Sequence, residues 1–210
     1  MPLREQISWD TVRSGVAGKV VVLDPGGADA DEELADVEAQ ILADVCTRIE
    51  GRLAALGTQV LMTRPPAPEL IPESERAAFA NETGADLVVS LHVERIDLPR
   101  ANGVATFYFG DPSGGAHSLS GRTAADIIHD LLCSRTDVTD CRVHPRTWDL
   151  LRMTRMPAVW IELGYLSHPR DAARLSSFTF KDAIADAIAE GVVAYFSPVL
   201  NDGGATAPQR

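Results

Sequence analysis

Apolar residues along the chain follow two alternating rhythms. Short, almost unbroken apolar runs rich in β-branched residues occupy positions 19–24, 58–63, 86–92, 103–109 and 157–162. Runs of this kind suit strands covered on both faces, so all five are predicted as strands of a mainly parallel sheet. Between them the apolar spacing changes to three and four. Leu34, Ile41, Val45, Ile49, Leu53 and Leu56 mark one stripe of a long helix over 32–56, with Gly57 placed to end it. Three more helices are predicted over 73–83, 119–134 and 181–196, the last stopped by Pro198. Strands and helices in this alternation build an α/β fold, a single three-layer domain whose mainly parallel central sheet is flanked by helices. The domain is expected over 19–197, after an N-terminal extension at 1–18 and before a disordered tail at 198–210.

Composition narrows the picture. A chain of 210 residues fits one domain, and a domain of this size buries roughly 70% of its unfolded surface. No apolar run approaches the ~20 residues of a membrane span. The first eighteen positions carry charges and no apolar h-region, so no secretory signal is read there and a cytoplasmic location is expected. Cys46, Cys133 and Cys141 make an odd count, which points to reduced thiols. The formal net charge of −11 argues against a nucleic-acid partner and against electrostatic adhesion to an anionic wall polymer. A basic partner, or one met through apolar contact, suits such a surface better.

Three polar residues, Asp24, His92 and Glu162, stand at the carboxyl ends of predicted strands. Ligands of open α/β sheets bind outside those ends, so the three together form a candidate site. Each alone is more readily a strand cap or a partner of a loop amide. Glu38 falls on the buried stripe of the long helix. A buried carboxylate is costly unless it is paired or holds a metal; the plainer alternative is a solvated position at the stripe's edge, or a pair with an arginine such as Arg76. A second metal pattern is His129-x3-Cys133 followed by Cys141-x2-His144. Four zinc-type donors so close in sequence could close a tetrahedral site. The alternative there is two exposed helix residues and a loop with Cys141 half buried.

Several motifs come in a particular order: Val20-Val21-Val22-Leu23-Asp24-Pro25-Gly26, Val60-Leu61-Met62-Thr63-Arg64, Arg76 with Ala80-Asn81, Ser90-Leu91-His92, Gly103-Val104-Ala105-Thr106-Phe107-Tyr108 and Met156-Pro157-Ala158-Val159. They run on into Trp160-Ile161-Glu162-Leu163-Gly164-Tyr165-Leu166-Ser167. In this order and spacing the chain, from about 19 to 196, resembles the zinc-dependent N-acetylmuramoyl-L-alanine amidases, the Amidase_3 family, which cut the sugar–peptide amide of peptidoglycan. The resemblance implies zinc as cofactor, Glu38 and His92 as zinc ligands (Glu33 being the less favoured candidate for the first) and Glu162 as general base. In the family three protein ligands leave one zinc position to water, whose pKa falls towards ~7. The glutamate takes the water proton and passes it to the leaving amine.

The chain also departs from the family pattern. Gly27 stands where the family's first zinc histidine follows Asp-Pro-Gly, Glu94 stands for an asparagine, and Tyr165 and His168 stand for phenylalanine and asparagine. Asp29, Asp31 and His168 are conceivable substitute ligands, though none occupies the motif position. The segment 140–159, with Arg146-Thr147-Trp148-Asp149-Leu150-Leu151-Arg152, is similar to an actinobacterial branch of amidase-like proteins associated with control of cytoplasmic peptidoglycan precursor synthesis. The expectation is an Amidase_3-fold protein with a degenerate zinc site, a non-hydrolytic binding or regulatory protein of cell-wall synthesis. Its partner would be a peptidoglycan fragment or a cytoplasmic cell-wall synthesis protein. The alternative is an active amidase hydrolysing the MurNAc–L-Ala amide of peptidoglycan with a substituted zinc ligand.

Overall fold

The structure, a computed structural model, describes residues 15–26, 32–64, 71–96, 98 and 100–197, and the side chains of 32–34 are not among the groups described. Gly27, Asp29, Asp31, the extension up to residue 14 and the tail from 198 therefore lie outside the described residues.

Among the described residues six strands and six helices follow in the order β1 (Val20–Pro25), α1 (Glu32–Ala55), β2 (Gln59–Met62), α2 (Glu73–Glu82), β3 (Leu87–Glu94), β4 (Val104–Phe109), α3 (Leu119–Arg135), β5 (Asp140–Arg146), α4 (Asp149–Met153), β6 (Ala158–Tyr165), α5 (Pro169–Leu175) and α6 (Phe178–Phe196). One sheet holds all six strands in the order β2-β1-β3-β6-β4-β5. Neighbours are parallel except at β6 and β4, which run antiparallel, so the sheet is mainly parallel as predicted.

Strand alternation divides the buried side chains between two faces. Val21, Leu23, Val89, Leu91, Val159 and Ile161 join the larger core under α1, α3 and α6. Val22, Val88, Ala105, Phe107 and Trp160 join a smaller core under α2 and α4, where Ala77, Ala80, Leu150 and Leu151 meet them. Arginine–carboxylate pairs also tie α1 to α6, among them Arg48–Asp182 at 2.8 Å. Among the described residues no helix is long and apolar enough to cross a membrane.

The five predicted strands and four predicted helices are all present, and β5 and the short helices α4 and α5 are additions. The sequence of β5, Asp-Cys-Arg-Val-His-Pro-Arg, lacks an apolar run and contains a proline. An edge strand tolerates both, because one of its sides forms no ladder and needs no buried side chains. Helix α6 starts at Phe178, capped by the Ser177 hydroxyl, rather than at 181. Strands β3 and β6 run on to Glu94 and Tyr165, so His92 and Glu162 sit just inside the strand ends rather than on them.

Candidate functional site

Register brings the three predicted strand-end residues together. Asp24 of β1 lies opposite Ser90 of β3, and Ser90 and His92 lie opposite Trp160 and Glu162 of β6. Alternation points all of them to the α2/α4 face, since they share parity with Val22, Val88 and Trp160.

Asp24 is fully buried. Its carboxylate accepts hydrogen bonds from the Thr63 hydroxyl, from Ser90 Oγ at 2.5 Å and from Arg76 Nη1. Arg76 is itself buried and forms an ion pair with Asp24. The motif arginine of α2, read from sequence as a possible partner of Glu38, is thus committed to the end of β1. Removing two charges from water is expensive, and the two hydroxyls on the carboxylate help to offset that cost.

The Ser90 hydroxyl has one proton and gives it to Asp24, so the same oxygen accepts from His92 Nε2–H at 2.8 Å. His92 stacks on Trp160 with ring centroids 3.3 Å apart and planes within 8°. Its other neighbour is Gly26. A methyl group added there would lie 2.1–2.5 Å from Cε1, Nδ1 and Nε2, so the ring edge bearing both nitrogens rests against the Gly26 backbone. This close approach explains the second half of Pro25-Gly26, because only glycine leaves room for the ring. Burial, and then the positive charges of Arg76 and Arg64, hold His92 well below the usual imidazole range, so it is neutral.

Arg64, at the end of the Thr-Arg motif, is 5% exposed. Its Nε donates to Pro25 O at 2.6 Å and its Nη2 to Gly26 O, which caps the turn that follows β1. Burial lowers this guanidinium from its ordinary value, while the charges of Asp24 and Glu38 act in the opposite direction. Glu38, on α1, is 8% exposed. The buried-stripe reading of Glu38 therefore holds, and it lies within the electrostatic reach of Arg64. Thr63-Arg64 directly follows β2, which pairs in parallel with the strand ending in Asp-Pro-Gly, and this places the arginine beside the turn.

Glu162 is half-buried, and its carboxyl is pushed up to about 7, first by burial and then by the charge of Glu94; Tyr165 and Arg146 act against this. The Tyr165 hydroxyl donates to Glu162 Oε2 at 3.2 Å. The tyrosine that departs from the family pattern is thus a direct partner of the predicted base. Arg146 lies over Phe107 and Trp148, 5.2 and 5.8 Å from their ring centroids, and Trp148 packs on Trp160 at 4.7 Å. His168 stands at the start of α5 with its Nδ1 buried.

A cavity of about 510 Å³ lies elsewhere, on the helical side, lined by Arg135, Asp137, Arg170, Arg174 and Phe180 among others. Its arginines are already paired, Arg170 and Arg174 with Asp137 and Arg135 with Glu190, so it presents little uncompensated charge.

Residues 21–194 match the Amidase_3 family, described as N-acetylmuramoyl-L-alanine amidase. The chain is 42% identical over 196 residues to the N-acetylmuramoyl-L-alanine amidase CwlM of Mycobacterium tuberculosis, a match that covers 89% of this chain and 47% of the relative. It therefore spans about half the length of that protein. The germination-specific N-acetylmuramoyl-L-alanine amidase of Bacillus subtilis is 25% identical over 206 residues, with 90% of this chain and 85% of the relative covered. Among solved structures, the catalytic domain of CwlV from Bacillus (Paenibacillus) polymyxa superposes with a TM-score of 0.72 at 25% identity, covering 84% of this chain and 97% of that one. The amidase Ami1 of Mycobacterium smegmatis gives a TM-score of 0.72 at 24% identity, covering 86% and 98%, and shares the fold. With the sheet order, the strand-end residues and these matches in agreement, the chain belongs to the Amidase_3 family of N-acetylmuramoyl-L-alanine amidases.

Proposed function

We propose that this chain is a non-hydrolytic member of its family, a binding or regulatory protein of peptidoglycan metabolism whose crevice holds a fixed polar network in place of a catalytic zinc. The observation that carries this reading is the state of His92. One ring nitrogen is engaged by Ser90, and the edge bearing both nitrogens is closed by Gly26.

The donor set does not fit a catalytic zinc. The sequence supplies Glu38 and His92 but has Gly27 where a third donor would stand. Among the described residues Glu38 and His92 belong to no cluster of three or more His, Cys, Asp or Glu donors. The two guanidiniums whose charges act on His92 oppose a dication at the same place. The Glu38 carboxylate lies where the Arg64 cation already compensates it. A retained carboxylate and imidazole thus serve a structural network, and the partner is a peptidoglycan fragment or a protein of cell-wall synthesis.

One observation favours the second reading, an amidase of weak activity. Glu162, held at about 7, has the proton affinity of a general base working near neutrality. The deciding experiment compares the natural sequence with His92→Ala and Glu162→Gln in zinc content and in cleavage of a purified muropeptide. The expected result is no cleavage, and a metal content unaffected by His92→Ala. Cleavage that disappears in Glu162→Gln would overturn the non-hydrolytic reading.

A further inference from the structure

A second group of metal donors lies on the opposite face of the sheet. Among the described residues, His129, Cys133 and Asp140 form a cluster whose ligand atoms all lie within 4.8 Å of one another. His129 and Cys133 are one turn apart on α3, and Asp140 opens β5. The helix spacing had allowed both α3 residues to be solvent-facing; instead His129 is 4% exposed, because β5 extends the sheet beneath it. His144, the fourth donor of the sequence pattern, does not join them. Its Nε2 bonds to Cys141 O at 2.7 Å and its ring packs 5.7 Å from Phe107, in the smaller core.

The separations are near those of a coordination shell. His129 Nε2 lies 2.9 Å from Asp140 Oδ1 and 3.5 Å from Cys133 Sγ. Donors about 2.0–2.3 Å from a tetrahedral zinc are spaced by roughly 3.3–3.8 Å, so small rotamer adjustments suffice. Both non-thiol donors are also oriented from behind. Thr106 Oγ1, fully buried on β4, holds His129 Nδ1 at 3.0 Å, and the Arg142 N–H donates to Asp140 Oδ1 at 2.8 Å. Arg142 adopts φ 71°, a left-handed conformation unusual for a residue with a side chain, and that conformation delivers its N–H to Asp140. An outer partner that fixes the imidazole and a second one that fixes the carboxylate are what metal ligands usually have.

We infer that His129, Cys133 and Asp140 bind a borderline-soft divalent transition-metal ion, Zn²⁺ by class, which staples α3 to the edge strand β5. A set of one nitrogen, one sulfur and one oxygen donor selects zinc-like ions over magnesium or calcium. Water completes the fourth position, because Cys141 Sγ donates to Asn102 O at 3.1 Å and its side chain packs against the smaller core. Burial, followed by the charges of Asp140 and Asp130, holds the Cys133 thiol up at about 11. Binding therefore exchanges the S–H bond for a metal–sulfur bond and releases that proton to solvent. When the metal enters, Thr106 accepts from Nδ1–H, leaving the Nε2 lone pair for the ion.

The test is a Co²⁺ titration of the full chain, stripped with chelator and kept reduced, followed by competition with Zn²⁺. A thiolate-to-cobalt charge-transfer band and tetrahedral ligand-field bands should saturate at one equivalent and be displaced by Zn²⁺. Cys133→Ser should abolish the charge-transfer band. Asp140→Asn, altered at a side chain that is 43% exposed and so compatible with folding, should weaken binding by at least the roughly 10–100-fold that loss of an outer-shell partner costs. His92→Ala should leave the titration unchanged, so failure here and failure of the proposed crevice function give different results. No charge-transfer band in the natural sequence, an unchanged affinity in Asp140→Asn, or loss of binding in His92→Ala would each overturn the assignment.

Discussion

The two faces of the sheet hold metal-type donors in opposite electrostatic settings. On the α2/α4 face, Asp24 and His92 are surrounded by buried cations: Arg76 pairs with Asp24, Arg64 caps the turn after β1, and both raise the positive potential at His92. On the α3 face, His129 meets a carboxylate and a thiol, and the guanidinium facing Asp140, that of Arg142, stands 3.6 Å off with a side chain 79% exposed. The contrast shows that residue types do not make a metal site by themselves. A dication is favoured where donor lone pairs converge without a buried competing cation, and that is the condition of the edge cluster, whose nearest guanidinium is largely exposed.

The comparison breaks most visibly if the crevice cations are removed. Arg76→Met leaves the Asp24 carboxylate fully buried without its guanidinium, and the expected cost is about 3–5 kcal/mol in urea or thermal unfolding. A loss below ~1 kcal/mol would mean that the hydroxyls of Thr63 and Ser90 suffice to hold the charge. Gly26→Ala puts a methyl group into the His92 ring and is expected to cost about 1–3 kcal/mol, with a changed imidazole environment by nuclear magnetic resonance. An unchanged His92 signal would contradict the closed crevice.

Glu162 gives a smaller, pH-dependent effect. Its carboxyl is at about 7 in the folded chain against an ordinary 4.5, so the folded state holds the proton longer than the unfolded one. Its contribution therefore falls as pH rises from about 4.5 through 7, and Glu162→Gln should remove that decline. The gain above pH 7 should be on the order of 1 kcal/mol, discounted from the full shift because the side chain is partly solvated. A pH–stability profile that is identical in the variant would place the charge cost elsewhere. Smallest of all, Asp140→Asn in metal-free protein should change stability by no more than ~1 kcal/mol, since the pair with His129 is partly exposed. A much larger loss would make Asp140 a structural partner of His129 rather than a poised ligand.

Much of the crevice was legible because its residues sit on strands. Asp24, His92 and Glu162 follow unbroken apolar runs, and such runs place their last polar residues at one end of a parallel sheet. Glu38 was legible from its position on the stripe of α1, which predicted burial. Their partners were less so. Arg76 was weighed against Glu38 and instead reaches Asp24, a residue 52 positions away, because α2 packs across β1 and β3 on the smaller core. Strand β5 was missed because an edge strand lacks the apolar pattern that marks central ones. With it went the burial of His129 and the exchange of His144 for Asp140 in the edge cluster.

The sequence by itself determined the α/β class, the family and the placement of candidate polar groups at strand ends. Each of these depends on local spacing, which the period of a helix or strand converts directly into a face. Tertiary structure alone decided which charges neutralise which: that Arg64 and Arg76 occupy the field around His92, that Arg76 pairs with Asp24, and that α3 and β5 bring His129 and Cys133 within 4.8 Å of Asp140. The reason is physical. Electrostatic partners are chosen by proximity across a packed core, and that proximity is set by strand order and helix docking rather than by any interval along the chain.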